Sequence, residues 1–296
     1  MRHPLSHFGL AVLLLTAACA KNDTAPSAAA NGSASTTNTT ATATRDNNLA
    51  LGNPSGAVTD AANSANNYLV SRAQYTMSYS RAQGKPNWVS WHLSSAWIGS
   101  TPRQDNFAVD AALPSTWFRA GSSSYSGSGF DRGHNCPSGD RTGSVADNSA
   151  TFLMSNMMPQ AARNNQVTWE GLESYCRTLA SRGNELYIIA GSYGQGGTGV
   201  NGYATTIANG NITVPSNCWK VVVVLPNGNG DAARINSNTR VIAIDTPNNQ
   251  TLNADWGTYR TSVDAIEAVT GYDLLSALPL SVQNVMEARV DAGPTL

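Results

Sequence analysis

FDRGHNCPSGDRTGS, residues 130–144, brings Asp131, Arg132 and His134 within four positions of one another. An imidazole exchanges a proton near neutral pH, and a guanidinium forks onto phosphate or carboxylate oxygens. The chain has four histidines, and two of them, His3 and His7, lie in its first ten residues. His92 falls in the alternating run WVSWHLSSAW and reads as a strand histidine with a structural partner. His134 stands in a Gly- and Ser-rich stretch, where a structural and a chemical role are both open. Further along, Asn165, Trp169, Glu173 and Arg177 recur every four residues. On a helix, each such step drifts by about 40°. Glu173 and Arg177 then form an i,i+4 pair, which at a surface contributes only a few tenths of a kcal/mol. The bland reading of Asn165 is a capping amide at the helix start.

These residues must be positioned by a fold of ordinary composition. The chain has 296 residues, 41% of them hydrophobic, enough for one large domain or two small ones. Its net charge is −1 and only 12% of residues are charged. A chain-wide basic field is therefore excluded, and a polyanion would have to meet a local patch. Fifteen Arg stand against three Lys, a bias that suits bidentate phosphate contact but weighs little alone.

The N-terminus reads as an export signal over residues 1–20: Arg2, then the apolar run LAVLLLTAA, then small residues. The run is too short to span a bilayer. Thr16-Ala17-Ala18-Cys19 also resembles a lipobox, so a lipid anchor at Cys19 and ordinary cleavage are both open. Either way the chain is expected outside a bacterial cytoplasm, secreted, periplasmic or anchored. Residues 21–50 are rich in Ala, Thr, Asn and Ser and read as a disordered linker. The remainder, 51–296, reads as one domain.

Within it, strands are expected at 74–80, 87–93, 185–191, 211–214, 218–225 and 240–247, with Pro86 in the link between the first two. Helices are expected at 164–184, where Trp169, Leu172, Cys176 and Leu179 recur and Gly183 stops the pattern, and at 261–271, capped by Thr261 and ended by Gly271. Strands and helices mix without βαβ alternation, which predicts an α+β domain. Cys136, Cys176 and Cys218 allow at most one internal bridge, between Cys136 and either of the others or not at all. Gly194, Gly196 and Gly199 spell G-x-G-x-x-G after LYIIA, but no helix pattern follows, so no dinucleotide site is expected. His134 and Cys136 lack further ligands at zinc-site spacing.

DRGHNCPSGDRTGS, followed by NSATFLMSNMMPQAARNNQVTWEGLESYCRTL, resembles the DNA/RNA non-specific endonuclease family over roughly residues 66–285. The resemblance implies a central antiparallel sheet, a ββα-metal active site, and DNA and RNA as substrates. It implies that His134 is the general base and Asn165 the one direct ligand of a divalent metal, Mg²⁺ or plausibly Mn²⁺. Glu173 would orient metal-bound water, and Arg103 would clamp phosphate, with Arg132 and Arg177 as the remaining cations. Asp131 would be a structural partner, and Asn156 and Gln160 would support the site. A neutral Asn ligand would leave Mg²⁺ mostly hydrated, as it prefers, which accounts for the lack of a carboxylate cluster. His134 would need little pKa tuning, and the glycines and serines would let the backbone bend. Two other classes are carried: a catalytically weak binding module, and a phosphodiesterase for small substrates. An open groove would favour polymer, and a closed pocket a small substrate.

Overall fold

The computed structural model describes residues 42–296. The expected leader, with Cys19, and most of the expected linker lie outside the described residues. β1 (Tyr68–Ser71), β2 (Thr76–Ser80) and β3 (Lys85–Leu93) form an antiparallel meander. Three long strands, Asn184–Tyr193, Asn217–Pro226 and Arg240–Pro247, and the short edge Arg260–Thr261 extend it to seven strands in chain order. Each neighbouring pair is antiparallel.

Both faces of the sheet are covered, which explains the run CWKVVVVL. A strand buried on both sides reads as continuously apolar rather than alternating. Trp219, Val221 and Val223 point to one core with Val263, Ile266, Leu274, Leu275 and Met286 of the C-terminal segments. Cys218 and Val222 point to the other, with Trp169, Leu172, Tyr175 and Cys176. Each fully buried large apolar side chain contributes about 1.5–3 kcal/mol, so the two layers clamp the sheet strongly. The fold is α+β with a central antiparallel sheet, as expected.

On the second face lies an inserted unit. β4 (Asp131–His134) pairs antiparallel with β5 (Met157–Gln160). Between them runs α1 (Val145–Ala150), capped by the Ser144 hydroxyl, which accepts from Asp147 N at 3.0 Å. After β5 the chain enters a π-type turn, Asn164–Trp169, and then α2 (Glu170–Ser181). The expected single helix 164–184 is thus a widened turn plus a regular helix, stopped as expected by Gly183 at φ +86°. Periodicity alone does not separate the two.

Two local expectations need correction, at Pro86 and Thr261. Pro86 is not in the link but inside β3, opposite Tyr79 where the β2 register shifts, a place that tolerates its missing N–H. Thr261 does not cap the last-but-one helix, Val263–Thr270. It pairs with Ala243 in the edge strand, and Ser262 caps instead, accepting from Ala265 N. Gly271 ends that helix in the left-handed conformation. No bridge joins the cysteines at 136, 176 and 218: all three are buried free thiols, pushed up to about 12 by burial. The glycine motif at 194–199 forms a small hairpin strand, Gly197–Gly199, with no helix behind it. Among the described residues no helix is long and apolar enough to cross a membrane.

The packed unit also begins before residue 51. Arg45 bonds Ala96 O and Asp147, and its guanidinium lies 4.2 Å from the Trp97 ring centroid. Asn48 is buried, donates to Arg72 O and Ala73 O, and accepts from His92 N. These residues are polar because they satisfy strand-end backbone groups, so apolar periodicity could not reveal them. Asn48→Ala would leave those groups unpaired, at about 1–3 kcal/mol. Urea unfolding should show the midpoint fall with an unchanged m value; an unmoved midpoint would show that residues 44–50 do not brace the domain.

Candidate active site

β4 and β5 lie in register, Arg132 opposite Pro159 and His134 opposite Met157. Residues two apart on a strand share a face, so Arg132 and His134 enter the same cleft. Backbone bending is therefore not what the motif needs. Gly133 is extended, and a Cβ there would come within 2.3 Å of Gln160 Oε1 and 2.6 Å of Gln160 Cβ. It is a glycine because β4 and the Gln160 side chain approach so closely. Asn156 locks the next turn: its amide donates to Cys136 O and Thr151 O and accepts from Cys136 N. Asn156 and Gln160 thus both support the strand that carries His134.

The π-type turn presents Asn165 across from β4. Asn165 is not a helix cap. Its Nδ2 donates to Asp131 Oδ2 at 2.8 Å, and Gln166 Nε2 reaches the same oxygen at 2.8 Å. Asp131 therefore orients the amide, and Asn165 Oδ1 has no partner among the described residues. Such widened turns recur at functional sites. A neutral amide oxygen with its NH₂ already committed is a suitable lone ligand for a hard, hydrated divalent cation.

One cleft of about 470 Å³ is lined by Arg103, Arg132, His134, Asn165, Glu173 and Arg177, so all six expected site residues converge. An adjoining cleft of about 320 Å³ shares Arg103, Arg132 and Asn165 and continues along Phe107, Tyr125 and Phe130. His134 is buried, and its Nε2 has no hydrogen-bond partner. The Phe107 and Phe152 rings flank it at 5.8 and 5.1 Å. Burial, then Arg103 and Arg132, lower its pKa to about 3, against the expectation of little tuning. The imidazole is thus neutral at working pH.

The cations are held differently. The Arg132 side chain makes no hydrogen bond or ion pair among the described residues; its guanidinium stacks 3.9 Å from the Phe107 centroid. Arg103 is half-exposed, with Nε on Asp105 at 2.7 Å and Nη1 on Ser138 at 2.9 Å. The expected Glu173–Arg177 pair does not form a direct bridge. Arg177 turns instead to Asp140 at 3.2 Å, Ser174 at 2.9 Å and Glu170 at 3.4 Å. Glu173 lines the cleft and meets Lys220 of the sheet through Oε1 at 3.4 Å. Burial raises the Glu173 pKa, and Lys220 and Arg177 oppose that rise.

Sequence reasoning missed Asp140, Asp105, the two phenylalanines and Lys220. Asp140 is 1% exposed and also accepts from Trp91 Nε1 at 2.9 Å. It sits inside the opening motif, and Lys220 is a lone charge in an apolar strand. Both were visible signals. His92 is the structural histidine expected: Nδ1 accepts from Asp46 N at 3.3 Å, and Nε2 faces Glu185 at 3.3 Å. His92 with Asp46, Glu185 and Asp231, and separately Asp264 with Glu267 and Glu287, are grouped closely enough to receive a metal ion. In the first group Arg234 already bridges Glu185 and Asp231, supplying the cation.

With that geometry in place, the chain can be compared with known proteins. A family model described as DNA/RNA non-specific endonuclease matches residues 53–281. A nuclease of Nostoc sp. is 49% identical over 243 residues, covering 82% of this chain and 85% of the relative. The human mitochondrial nuclease EXOG is 34% identical over 155 residues, half of this chain and 42% of the relative. A crystal structure of the EndoG/EndoGI complex, described for the mechanism of EndoG inhibition, matches with a TM-score of 0.63 at 21% identity. That match covers 79% of this chain and 91% of its counterpart, and shows a shared fold.

The buried imidazole has a measurable consequence. His134 titrates near 6.5 when unfolded and at about 3 when folded. Its neutral form favours folding fully above pH 6.5, and that contribution is lost as pH falls toward 3. Between pH 7 and pH 4 the wild type should lose about 3 kcal/mol more stability than His134→Gln. Urea unfolding at the two pH values measures this; equal losses would mean that the imidazole is not desolvated.

Proposed function

The chain belongs to the DNA/RNA non-specific endonuclease family, and on that premise we propose a sugar-non-specific endonuclease yielding 5′-phosphorylated products. It is a hydrolase acting on nucleic acids, and the proposal concerns how it acts. One observation carries it: an imidazole whose Nε2 is unpartnered and uncharged, that of His134, lines a cleft with Arg103, Arg132 and Asn165.

Phosphodiester hydrolysis needs a water deprotonated in line and stabilisation of charge on the phosphate. His134 Nε2 accepts the proton of the attacking water. The pKa of about 3 describes the site without substrate. Burial is the larger cause of the depression; a phosphate seated between Arg103 and Arg132 offsets the charges that add to it, and so raises the basicity of the imidazole. Arg132 is free to fork onto phosphate, while Arg103 is steadied by Asp105 and Ser138. Asn165 Oδ1 is the ligand the chain offers to one divalent ion, Mg²⁺ or Mn²⁺, which when bound supplies Lewis-acid stabilisation at the phosphate and the leaving oxygen. Glu173 would orient water held at that site, and Arg177 adds positive charge at the cleft wall.

The adjoining cleft favours a polymer over a small phosphodiester, because the groove continues past Arg132. Contacts to phosphate carry no sequence information, consistent with cutting both DNA and RNA. The reading includes export from a bacterial cell through residues 1–20, with the fate of Cys19 decided by its acylation.

Purified protein should nick and linearise closed plasmid and degrade RNA with Mg²⁺ or Mn²⁺, and should stop with EDTA. His134→Ala should lower turnover by about 10²–10⁴-fold while the protein stays folded. Plasmid binding without cleavage under any metal would turn the reading to a binding module. Cleavage only of short phosphodiesters would turn it to a small-substrate enzyme.

A further inference from the structure

Lys220 is the one charged residue in the strand Asn217–Pro226 and is only 1% exposed. Its row in the sheet, with Cys218 and Val222, faces α2. Its Nζ lies 3.4 Å from Glu173 Oε1 and 4.1 Å from the Trp169 ring centroid. The ammonium thus touches the π-type turn that carries Asn165, at Trp169, and α2, at Glu173. The charges that face Glu173 are Lys220 from the sheet, Arg177 from α2, and Asp140 from the loop after β4. The thiols of Cys136 and Cys176 lie close by.

Stability does not account for this pair. Desolvating an ammonium and a carboxylate costs several kcal/mol each, and apolar replacements of similar volume are often neutral or stabilising. Removing one partner alone leaves a buried unpaired charge. What the arrangement does secure is the placement of a carboxylate at the cleft wall, with a cation held against it. Arg177 does not secure it, because its hydrogen bonds go to Asp140, Ser174 and Glu170.

We propose that Lys220 is a positioning residue of the hydrolysis, holding the Glu173 carboxylate in place at the wall of the cleft that Asn165 also lines. The inference rests on the endonuclease reading, in which Glu173 acts during turnover. It requires that the effect of Lys220 pass through Glu173.

The test is a functional double-mutant cycle, measured as kcat and KM for plasmid nicking with Mg²⁺. The variants are Lys220→Met, Lys220→Arg, Glu173→Gln and the Met/Gln double variant. Lys220→Met should lower kcat by about 10–100-fold, the range for residues that orient groups around a metal, with KM nearly unchanged. Lys220→Arg, which keeps the cation, should restore most of that loss. The double variant should be no slower than Glu173→Gln alone, since both changes remove one function. Should Lys220→Met fail to fold, the double variant, which buries no unpaired charge, carries the comparison with Glu173→Gln. A wild-type kcat in Lys220→Met or in Glu173→Gln overturns the inference. So does a double variant slower than Glu173→Gln by a further factor of ten. These outcomes require a wild type that cuts; a wild type that does not cut overturns the endonuclease reading itself.

Discussion

An imidazole kept neutral while two guanidiniums stand beside it is the constraint around which this molecule is arranged. Water would solvate all three groups and blunt their interaction. Burial between Phe107 and Phe152 removes that solvent from His134, so the ring is uncharged and Nε2 is left without a partner. An orphaned polar atom in a buried site costs free energy. The surrounding structure must be rigid enough to sustain it. β4 supplies that rigidity through its pairing with β5, through Asn156 on the following turn, and through the close approach of Gln160 to Gly133.

The same logic of assigned partners extends across the cleft. Asp131 engages the amide nitrogen of Asn165, so the oxygen is left for a ligand. Asp140 engages Arg177, and Lys220 engages Glu173. Opposite charges alternate along this wall and balance locally, which lets acids and bases share a desolvated space. Arg132 is the exception, restrained only by stacking on Phe107, and it is the cation whose fork stays open. The seven-stranded sheet matters here as a platform. Lys220 projects from an interior strand, where neighbouring strands on both sides limit movement.

The sheet was largely legible in advance, since its long strands are β-branched runs bounded by turn residues. What was not legible followed from groups that carry no periodic signal. Asn48 and Arg45 read as linker because they are polar, yet they satisfy buried backbone groups. Pro86 read as a break because a proline cannot donate to a ladder, yet a register shift accommodates it. Gly133 read as a hinge, yet it is an extended residue short of space. A glycine's type tells that something is close or bent, and only the neighbour tells which.

For the site, the stretch around His134 and the four-residue spacing of Asn165, Glu173 and Arg177 carry the family resemblance, and it is that resemblance which implies metal-assisted phosphodiester chemistry. A strand motif and a helical four-residue repeat are local patterns, and local patterns are written in sequence. Which partner each side chain takes was decided only by the tertiary structure. Glu173 and Arg177 are spaced to pair with each other, but a desolvated Lys220 and a desolvated Asp140 compete for them and win. The lowered basicity of His134 has the same origin: it depends on two phenyl rings, one of them 27 residues upstream, and on Arg103, 31 residues upstream. Desolvation and long-range charge belong to the folded arrangement, and no stretch of the chain contains them.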